Sequence, residues 1–453
     1  MILYIVQGIP MGFLLGTMPI MLKKYYSYTD ISILSLCSFP YNVKFLIAPI
    51  VDTVYCKWLG RRRSWIIPVQ LLAGGIMFLV AMNLNTLIEN FSVYTVTFVF
   101  GVIFMCLAIQ DIAVDGWSVT IVKEESLNYA STTQNIGLSL GCFISTTVYL
   151  AFNSVSFCNS FVRPLYIDSR FLNNDKGIYS KPIVNEANFM IGWGILTILA
   201  CLYTLAFHSE KDDRVQSTEE EQLGVYDTFK FAIKLLMNKY VLYLVSFWTL
   251  EKLFSYFSAP SNLYLLDEKK YDQGKYSFMG GLTFPVELLT TILISKYAYE
   301  NPFKLKYSIL FMGILVDLLW VNVCLSNYDS IIAYNPRLFD FLLFMSFLVS
   351  SILGTAAFNC DVASFNKMCN KDNGGTHITV FASLSNLSSV VPRLYSYKVV
   401  DKFGLFIPTL LGSFGTLVVL ILIKPLVNTL SQAKREDFDV DKGYQSLKAD
   451  KND

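Results

Sequence analysis

The sequence predicts an all-α polytopic membrane protein with about 12 transmembrane helices, and two observations support this fold class. The chain of 453 residues is 54% hydrophobic and only 16% charged, with a mean hydropathy of +0.47, whereas soluble domains are about 25% charged. The apolar residues also fall in blocks of roughly 20, which is the length of a helix that crosses a bilayer. We predict spans at about 1–22, 31–51, 65–84, 92–115, 134–156, 188–207, 240–262, 276–298, 306–326, 338–362, 376–399 and 404–428.

Charge patterns orient these spans and divide the chain. Lys and Arg are more numerous in the loops on the side of the two chain ends, which predicts that both termini are cytosolic. A charged stretch and an amphipathic helix pattern separate the sixth and seventh spans. We therefore predict an N-terminal six-helix half, a cytosolic linker with an amphipathic helix, a C-terminal six-helix half and a disordered cytosolic tail, at 1–207, 208–239, 240–428 and 429–453. This layout is typical of a major facilitator, whose halves rock around a central site; a 12-span protein of another fold is the alternative.

Other function classes find little support. The chain has two His, no P-loop and no His/Cys/Glu cluster with metal-ligand spacing, so we expect no enzyme, no cofactor and no metal. The net charge of +1 gives no indication of a nucleic-acid partner. The letters of a nucleophile elbow at 137–141 lie inside one apolar helix rather than between a strand and a helix. With Gly8, Gly12 and Gly16, these glycines predict close helix packing instead.

The loop between the second and third spans, "APIVDTVYCKWLGRRRSW", carries an acidic residue, a glycine and three arginines. Major facilitators have such a pattern at this position, with shorter spacing, where it forms a gate. The alternative is a plain basic cytosolic loop. The candidate gating residues here are Asp52, Gly60, Arg61, Arg62 and Arg63.

Charged residues inside predicted spans mark the candidate transport path, because such groups usually face a cavity or pair with one another. They are Lys44, Glu251, Lys252, Glu287, Asp317 and Arg393. Snorkelling to the interface is the alternative for some of them. Asp111 and Asp115 in "QDIAVDGW" lie one helical turn apart, where like charges repel, so they require compensation.

Several segments in chain order resemble the acetyl-CoA transporter family, solute carrier family 33 of the major facilitators. The most specific are "QDIAVDGW" and the loop with "GRRRSW"; others are "LYIVQGIPMGF" and "FNKMCNKDNGGTHITVFASLSNL". The resemblance implies a secondary transporter in the endoplasmic reticulum membrane that moves acetyl-CoA from the cytosol into the lumen by alternating access. Its expected partners are acetyl-CoA or a related anionic small molecule, the lipid bilayer, and protons or CoA as counter-substrate.

The charge of this substrate suggests roles for residues deep in the membrane, and the family resemblance suggests roles for the acidic residues near the arginines. Acetyl-CoA is a polyanion, so cations deep in the membrane are expected to contact its phosphates, and the aromatic and amide groups near them to line the path. The candidates are Lys44, Lys252, Arg393, Gln7, Tyr41 and Trp248. Asp115 is expected to pair with one of the three arginines as a latch, which forms in the outward-open state and breaks when the cytosolic side opens. Asp52 is expected to face the start of the eleventh span near 374–376. Asp111 is either a second latch residue or a proton carrier.

Alternatives of other classes remain. Within transport, the substrate could be another organic anion, such as a muropeptide-like or glutathione species. A membrane-embedded acyltransferase would need an activated base deep in the membrane, and both His lie at predicted span ends. A non-transporting receptor would not need charges in so many spans.

Overall fold

A computed structural model describes residues 1–121, 127–165, 180–207, 225–254, 258–368 and 374–438. Within them, nine helices are long and apolar enough to cross a membrane. They are Ile2–Leu22, Arg63–Met82, Val93–Ser118, Thr133–Asn153, Glu186–Phe207, Gln273–Ile294, Pro302–Leu325, Pro336–Met368 and Phe406–Gln432. We number these as spans 1, 3, 4, 5, 6, 8, 9, 10 and 12.

Three further crossings consist of shorter helical pieces and complete the predicted twelve. Span 2 is the most divided: it runs through Tyr28–Leu34, Ser35–Ser38, Phe39–Asn42, Lys44–Leu46 and Ala48–Thr53. Pro40 and Pro49 stand in the first turns of two of these pieces, where a residue without an N–H group costs the helix least. Span 7 is built from Lys239–Lys252, Ser258–Leu263 and Tyr264–Glu268, and span 11 from Gly374–Leu387 and Val390–Phe403.

The spans form two bundles with separate apolar cores. One core includes Phe13, Phe100 and Trp193 from the first six spans, and the other includes Trp248, Phe381 and residues of spans 9, 10 and 12. We call the side of the bundles where the chain begins and span 12 ends the terminal side. The opposite side holds the turns between spans 1 and 2 and between spans 7 and 8.

The ends of the C-terminal half differ in part from the expectation. The amphipathic helix is present at Val225–Leu236, and its Leu235 is buried in the core of the C-terminal bundle. The tail expected to be disordered from residue 429 begins in an ordered state: span 12 continues to Gln432, and Arg435–Phe438 forms a 3-10 helix. Phe438 is buried against Tyr240 and Phe381, and this apolar anchor orders the segment. Residues 208–224 of the linker and 439–453 of the tail lie outside the described residues.

Span 1 packs directly against span 5 through glycine, as the spacing of the glycines predicts. A Cβ atom at Gly8 would collide with the backbone oxygen of Leu138, and one at Gly141 would collide with that of Ile5. A Cβ at Gly137 would lie 2.6 Å from the Cβ of Tyr4. Such contact gives two membrane helices their van der Waals attraction, since lipid supplies no hydrophobic force between them.

The two bundles touch on the opposite side. The Tyr28 hydroxyl donates to Glu268 at 2.9 Å, and the Thr29 hydroxyl donates to Asp401 at 2.6 Å. Lys23 lies 3.5 Å from Asp267. The rings of Phe143 on span 5 and Phe284 on span 8 stack at 4.5 Å. The polar contacts join the end of span 1 and the start of span 2 to spans 7 and 11. The structure is therefore closed on the opposite side.

We expect Gly8→Ala to destabilise the protein by about 1–3 kcal/mol, because the new methyl group must separate two backbones in contact. Gly75→Ala is the matched control, since a Cβ atom there meets no atom within 4 Å and alanine favours a helix. Thermal unfolding of the purified protein in detergent measures both. Equal melting temperatures for the two variants would contradict the close-packing interpretation.

Candidate functional site

The loop with the three arginines is shaped by a glycine. Gly60 has a φ of +95°, a conformation that other residues adopt only with strain. Its carbonyl accepts from the Ser64 hydroxyl at 2.5 Å, and that hydroxyl also accepts from the backbone N–H of Cys56 at 3.0 Å. This turn brings Arg61, Arg62 and Arg63 to the first turn of span 3, on the terminal side. The Asp52 side chain, expected to face 374–376, lies outside what the structure describes.

The central polar group of the N-terminal bundle is Asp111 on span 4. The amine of Lys44, on span 2, donates to one carboxylate oxygen of Asp111, and Gln7, on span 1, donates to the other at 2.7 Å. Asp111 and Gln7 are fully buried and Lys44 is 5% exposed. The Lys44 amine also lies 4.9 Å from the ring centre of Tyr41. Four sequence-derived candidates thus meet at one buried ion pair.

Asp115 lies one turn nearer the terminal side. Its expected pairing with an arginine belongs to the state in which the terminal side is closed, and it stays a prediction, because this structure is closed on the opposite side. Its carboxylate accepts from the Tyr4 hydroxyl and from the Gln134 amide, each at 2.8 Å. Among its described contacts none is with an arginine. Arg62 instead packs on the neighbouring Gly116, with guanidinium nitrogens 2.6 and 2.7 Å from where a Cβ of residue 116 would stand. Asp115 is already satisfied by neutral donors on spans 1 and 5, which the sequence reasoning had not considered.

The C-terminal bundle holds a second buried ionic cluster. Lys306, at the start of span 9, donates to Glu251 on span 7 at 2.7 Å and to Asp361 on span 10 at 2.5 Å. Lys306 is 4% exposed and Glu251 is 2% exposed. Neither Lys306, the first residue of the predicted span 306–326, nor Asp361, within the predicted span 338–362, was among the candidates from the sequence. The available signal was Glu251 itself, because a carboxylate inside a span requires a cation from another helix.

The remaining candidates fall in two environments. Lys252 donates to the backbone oxygen of Ser385 at 2.6 Å and to its hydroxyl at 3.1 Å, which joins span 7 to span 11. Arg393 is half-buried on the piece of span 11 that packs against the Ser35–Ser38 turn of span 2. Trp248, expected to line the path, is fully buried and meets Phe365 edge-on at 5.5 Å. In this conformation its faces are covered by the core of one bundle, so it offers no surface for stacking on adenine.

Two other intramembrane carboxylates have different surroundings. Glu287 on span 8 accepts from the Ser351 hydroxyl at 2.7 Å. Asp317 ends the regular part of span 9, just before the π-helical segment Leu318–Leu325. It faces a cavity of about 180 Å³, and within the described part of the chain no side chain donates a hydrogen bond to it.

These groups can bind and exchange ionic partners. In the N-terminal bundle Lys44 pairs with Asp111, while Asp115 one turn away accepts only from neutral groups. In the C-terminal bundle one lysine is held by two carboxylates. Both arrangements are buried, where opening an ion pair without a replacement partner is costly. Within the described ranges no group of three His, Cys, Asp or Glu side chains could hold a metal ion. The arrangement of the lysines and carboxylates is suited to the rearrangement of ion pairs.

Known structures define the class. The chain resembles a bacterial homologue of the human lysosomal transporter Spinster in its inward-facing state, with a TM-score of 0.62 and 12% identity over 96% of each chain. It also resembles a D-xylose–proton symporter, with a TM-score of 0.61 and 11% identity over 95% of this chain and 98% of that one. The chain has the all-α major facilitator fold.

Sequence relatives identify the family. The model for acetyl-coenzyme A transporter 1 matches residues 1–227. A Schizosaccharomyces pombe protein is 30% identical over 405 residues, 88% of this chain and 73% of that protein. The putative transporter AmpG 1 of Rickettsia prowazekii is 23% identical over 90% of this chain and 93% of its own length. The anhydromuropeptide permease of Escherichia coli is 28% identical over 32% of this chain and 29% of its own. The chain belongs to the acetyl-coenzyme A transporter 1 family.

We expect Asp111→Asn to destabilise the protein by about 3–5 kcal/mol, because it leaves the buried Lys44 amine without its counter-charge. The matched change Asp317→Asn also removes an intramembrane carboxylate, but one without a described cation partner. It should leave stability unchanged or raise it. Unfolding of the purified variants compares the two, and a loss of similar size in both would show that the ion pair is not the cause.

Proposed function

We propose that this protein moves acetyl-CoA from the cytosol into the lumen of the endoplasmic reticulum by alternating access, with the terminal side in the cytosol. Membership of the acetyl-coenzyme A transporter 1 family supports the substrate class. The observation on which the proposal mainly rests is the set of cations along the boundary between the two bundles. The Lys44–Leu46 piece of span 2 packs against Gly374–Leu387 of span 11, and that helix also holds Lys252 through Ser385.

The chemistry of the substrate explains why cations are needed at this boundary. Acetyl-CoA carries phosphates at one end, and ionised donors bind phosphate oxygens about twice as strongly as neutral donors. In our proposal Lys252 and Arg393 contact these phosphates, and Gln7 and Tyr41 line the path beside them. Lys44 is neutralised by Asp111 in this conformation. It would bind a phosphate only when the substrate replaces Asp111 as its partner.

The terminal-side loop would act as the gate. Arg62 packs on Gly116 and Arg63 donates to the backbone oxygen of Leu205 at 3.0 Å, so the loop is bound to spans 4 and 6. Asp52, Gly60 and Arg61 belong to the same proposed gate. Asp115 precedes Gly116, on which Arg62 packs, and its negative charge would attract the arginines and hold the terminal side closed in the outward-open state. Weakening that attraction would shift the protein toward terminal-side opening. Asp111, which is paired with Lys44 in this conformation, would act either as a second latch residue or as a proton carrier.

A second candidate is transport of a different organic anion, such as a muropeptide-like or glutathione species. One observation favours the muropeptide version: an Escherichia coli relative is an anhydromuropeptide permease. The similarity covers about a third of this chain, so it gives less support than the family match. Uptake of labelled acetyl-CoA compared with uptake of a labelled anhydromuropeptide distinguishes the two candidate substrates.

Purified protein in proteoliposomes should take up labelled acetyl-CoA in a saturable manner that excess unlabelled acetyl-CoA competes away. Lys252→Ala should reduce uptake about tenfold or more, because a charge-assisted hydrogen bond contributes about 1.5–3 kcal/mol. Lys304→Ala is the control, since Lys304 is exposed on the terminal side. Dissipating an imposed pH gradient tests proton coupling, and loading with CoA tests exchange. Absent uptake, or preferred uptake of a labelled anhydromuropeptide, would refute the acetyl-CoA assignment.

Asp115→Asn should shift the conformational balance toward the open terminal side while changing substrate affinity little. Asparagine keeps an oxygen that can accept from Tyr4 and Gln134, so the change removes charge rather than the hydrogen bonds. A spin-label distance between exposed Cys56 and Lys304→Cys, one in each half, should lengthen. A change in substrate affinity at an unchanged distance would contradict the gate.

A further inference from the structure

A cationic cavity lies at the terminal-side end of the C-terminal bundle, away from the boundary between the halves. Its volume is about 290 Å³, and it is enclosed by the ends of spans 9, 10 and 12 and by the segment that follows span 12. Lys367, Lys434 and Arg435 contribute its positive charge, and Phe303, Met368 and Leu430 are among its apolar walls. We propose that this cavity binds the phosphate headgroup of an anionic phospholipid.

The three cations have capacity for an anionic ligand. The Lys367 amine donates to the backbone oxygen of Glu300 at 3.1 Å, which uses one of its three N–H groups. The Nε of Arg435 is buried and has no acceptor among the described residues. Glu436 and Asp437 are the nearest acids in sequence. Glu436 is exposed, and the Asp437 carboxylate accepts from the backbone N–H of Lys434 at 2.8 Å. Within the described ranges no carboxylate forms an ion pair with these three side chains.

The cavity differs from an ordinary basic loop. The preference for Lys and Arg on one membrane side accounts for positive charge near span ends. It does not account for an enclosed space or for a buried guanidinium nitrogen without an acceptor. The segment that carries Arg435 is also fixed, because Phe438 is buried in the core and the Asn238 amide donates to the backbone oxygen of Asp437 at 3.0 Å. Arg435 is therefore held toward the cavity in advance of any ligand.

The apolar walls favour a lipid over a soluble phosphate. Phe303 and Met368 are buried, and Leu430 closes the cavity from span 12. Basic pockets between transmembrane helices are known binding sites for anionic headgroups, whose acyl chains extend into the bilayer. A lipid can place its phosphate among the cations and its glycerol backbone against these side chains, whereas a free phosphate would leave the apolar wall uncovered.

A bound headgroup would act on the ionic cluster of the C-terminal bundle. Phe303 packs edge-on against Phe247 at 5.6 Å, and the Lys306 amine lies 5.7 Å from the centre of that ring. Lys306 is one turn beyond Phe303 and holds Glu251 and Asp361. A lipid that fixes the start of span 9 should therefore stabilise the whole C-terminal bundle.

The test is thermal unfolding of the delipidated full chain in neutral detergent. Separate samples receive phosphatidylglycerol, zwitterionic phosphatidylcholine or inorganic phosphate. We expect phosphatidylglycerol to raise the melting temperature far more than the other two additives. The double variant Lys434→Gln/Arg435→Gln should lose most of this shift. Its apparent dissociation constant should rise about 25-fold, since each cation contributes about fivefold.

Lys304→Gln is the matched control, because Lys304 is an exposed lysine in the first turn of span 9 that does not line the cavity. It should keep the full shift. Lys367→Gln/Lys434→Gln replaces the first double variant if that one does not fold, and native mass spectrometry counts retained lipid independently. Inorganic phosphate acting as strongly as the lipid would overturn the lipid assignment. An undiminished shift in the cavity variants would overturn the site.

Discussion

Hydrocarbon offers a charge nothing to bind, and the arrangement of this protein's polar residues follows from that constraint. Lys44 and Asp111 meet across spans 2 and 4 inside the N-terminal bundle, and Lys306 joins spans 7, 9 and 10 inside the C-terminal bundle. Each lysine takes its partner from another span. The ion pairs therefore specify which helices are neighbours within a bundle, a choice that apolar side chains in lipid leave open.

The two bundles solve the same problem with different residues. In the N-terminal bundle, the second carboxylate, Asp115, is satisfied by Tyr4 and Gln134 and not by a lysine. In the C-terminal bundle, both Glu251 and Asp361 use the same amine. Both clusters lie toward the terminal side. In the proposed transport cycle, an anionic substrate would have to compete with Asp111 for Lys44, because that lysine already has a partner.

The sequence contained most of the information on the fold and less on the site. Blocks of apolar residues located the spans within a few residues, because length and hydropathy report directly on bilayer crossing. The glycines of spans 1 and 5 correctly indicated close packing. Pairing across helices was harder, since it depends on which spans are neighbours. Lys306, near a span end, fits the preference for basic loops as well as it fits burial, and only the position of Glu251 distinguishes these readings.

Trp248 also shows that the sequence does not determine which neighbour a side chain contacts. An aromatic residue beside intramembrane charges in the sequence can point into the bundle or toward the path, and a shift of one position on a helix turns a side chain by about 100°. Glu251 and Lys252 show how large that effect is, because neighbouring residues reach spans 9 and 11 respectively. The depth of these residues in the membrane was predictable from the sequence, whereas the direction in which each side chain points required the packed structure.

The contacts that close the opposite side determine how easily the two bundles separate there. Its polar links, such as Tyr28 with Glu268 and Thr29 with Asp401, are single hydrogen bonds at positions that are partly open to solvent. Water can replace each of them at little cost. The links inside each bundle are ion pairs in which the lysines, Asp111 and Glu251 are buried. The closed opposite side also contains a buried apolar cluster in which Tyr28 and Ile31 of span 2 pack with Leu265 and Tyr397 of the other half. Separation of the bundles on this side must therefore expose that cluster, and its exposure, more than the loss of the hydrogen bonds, sets the free energy of opening.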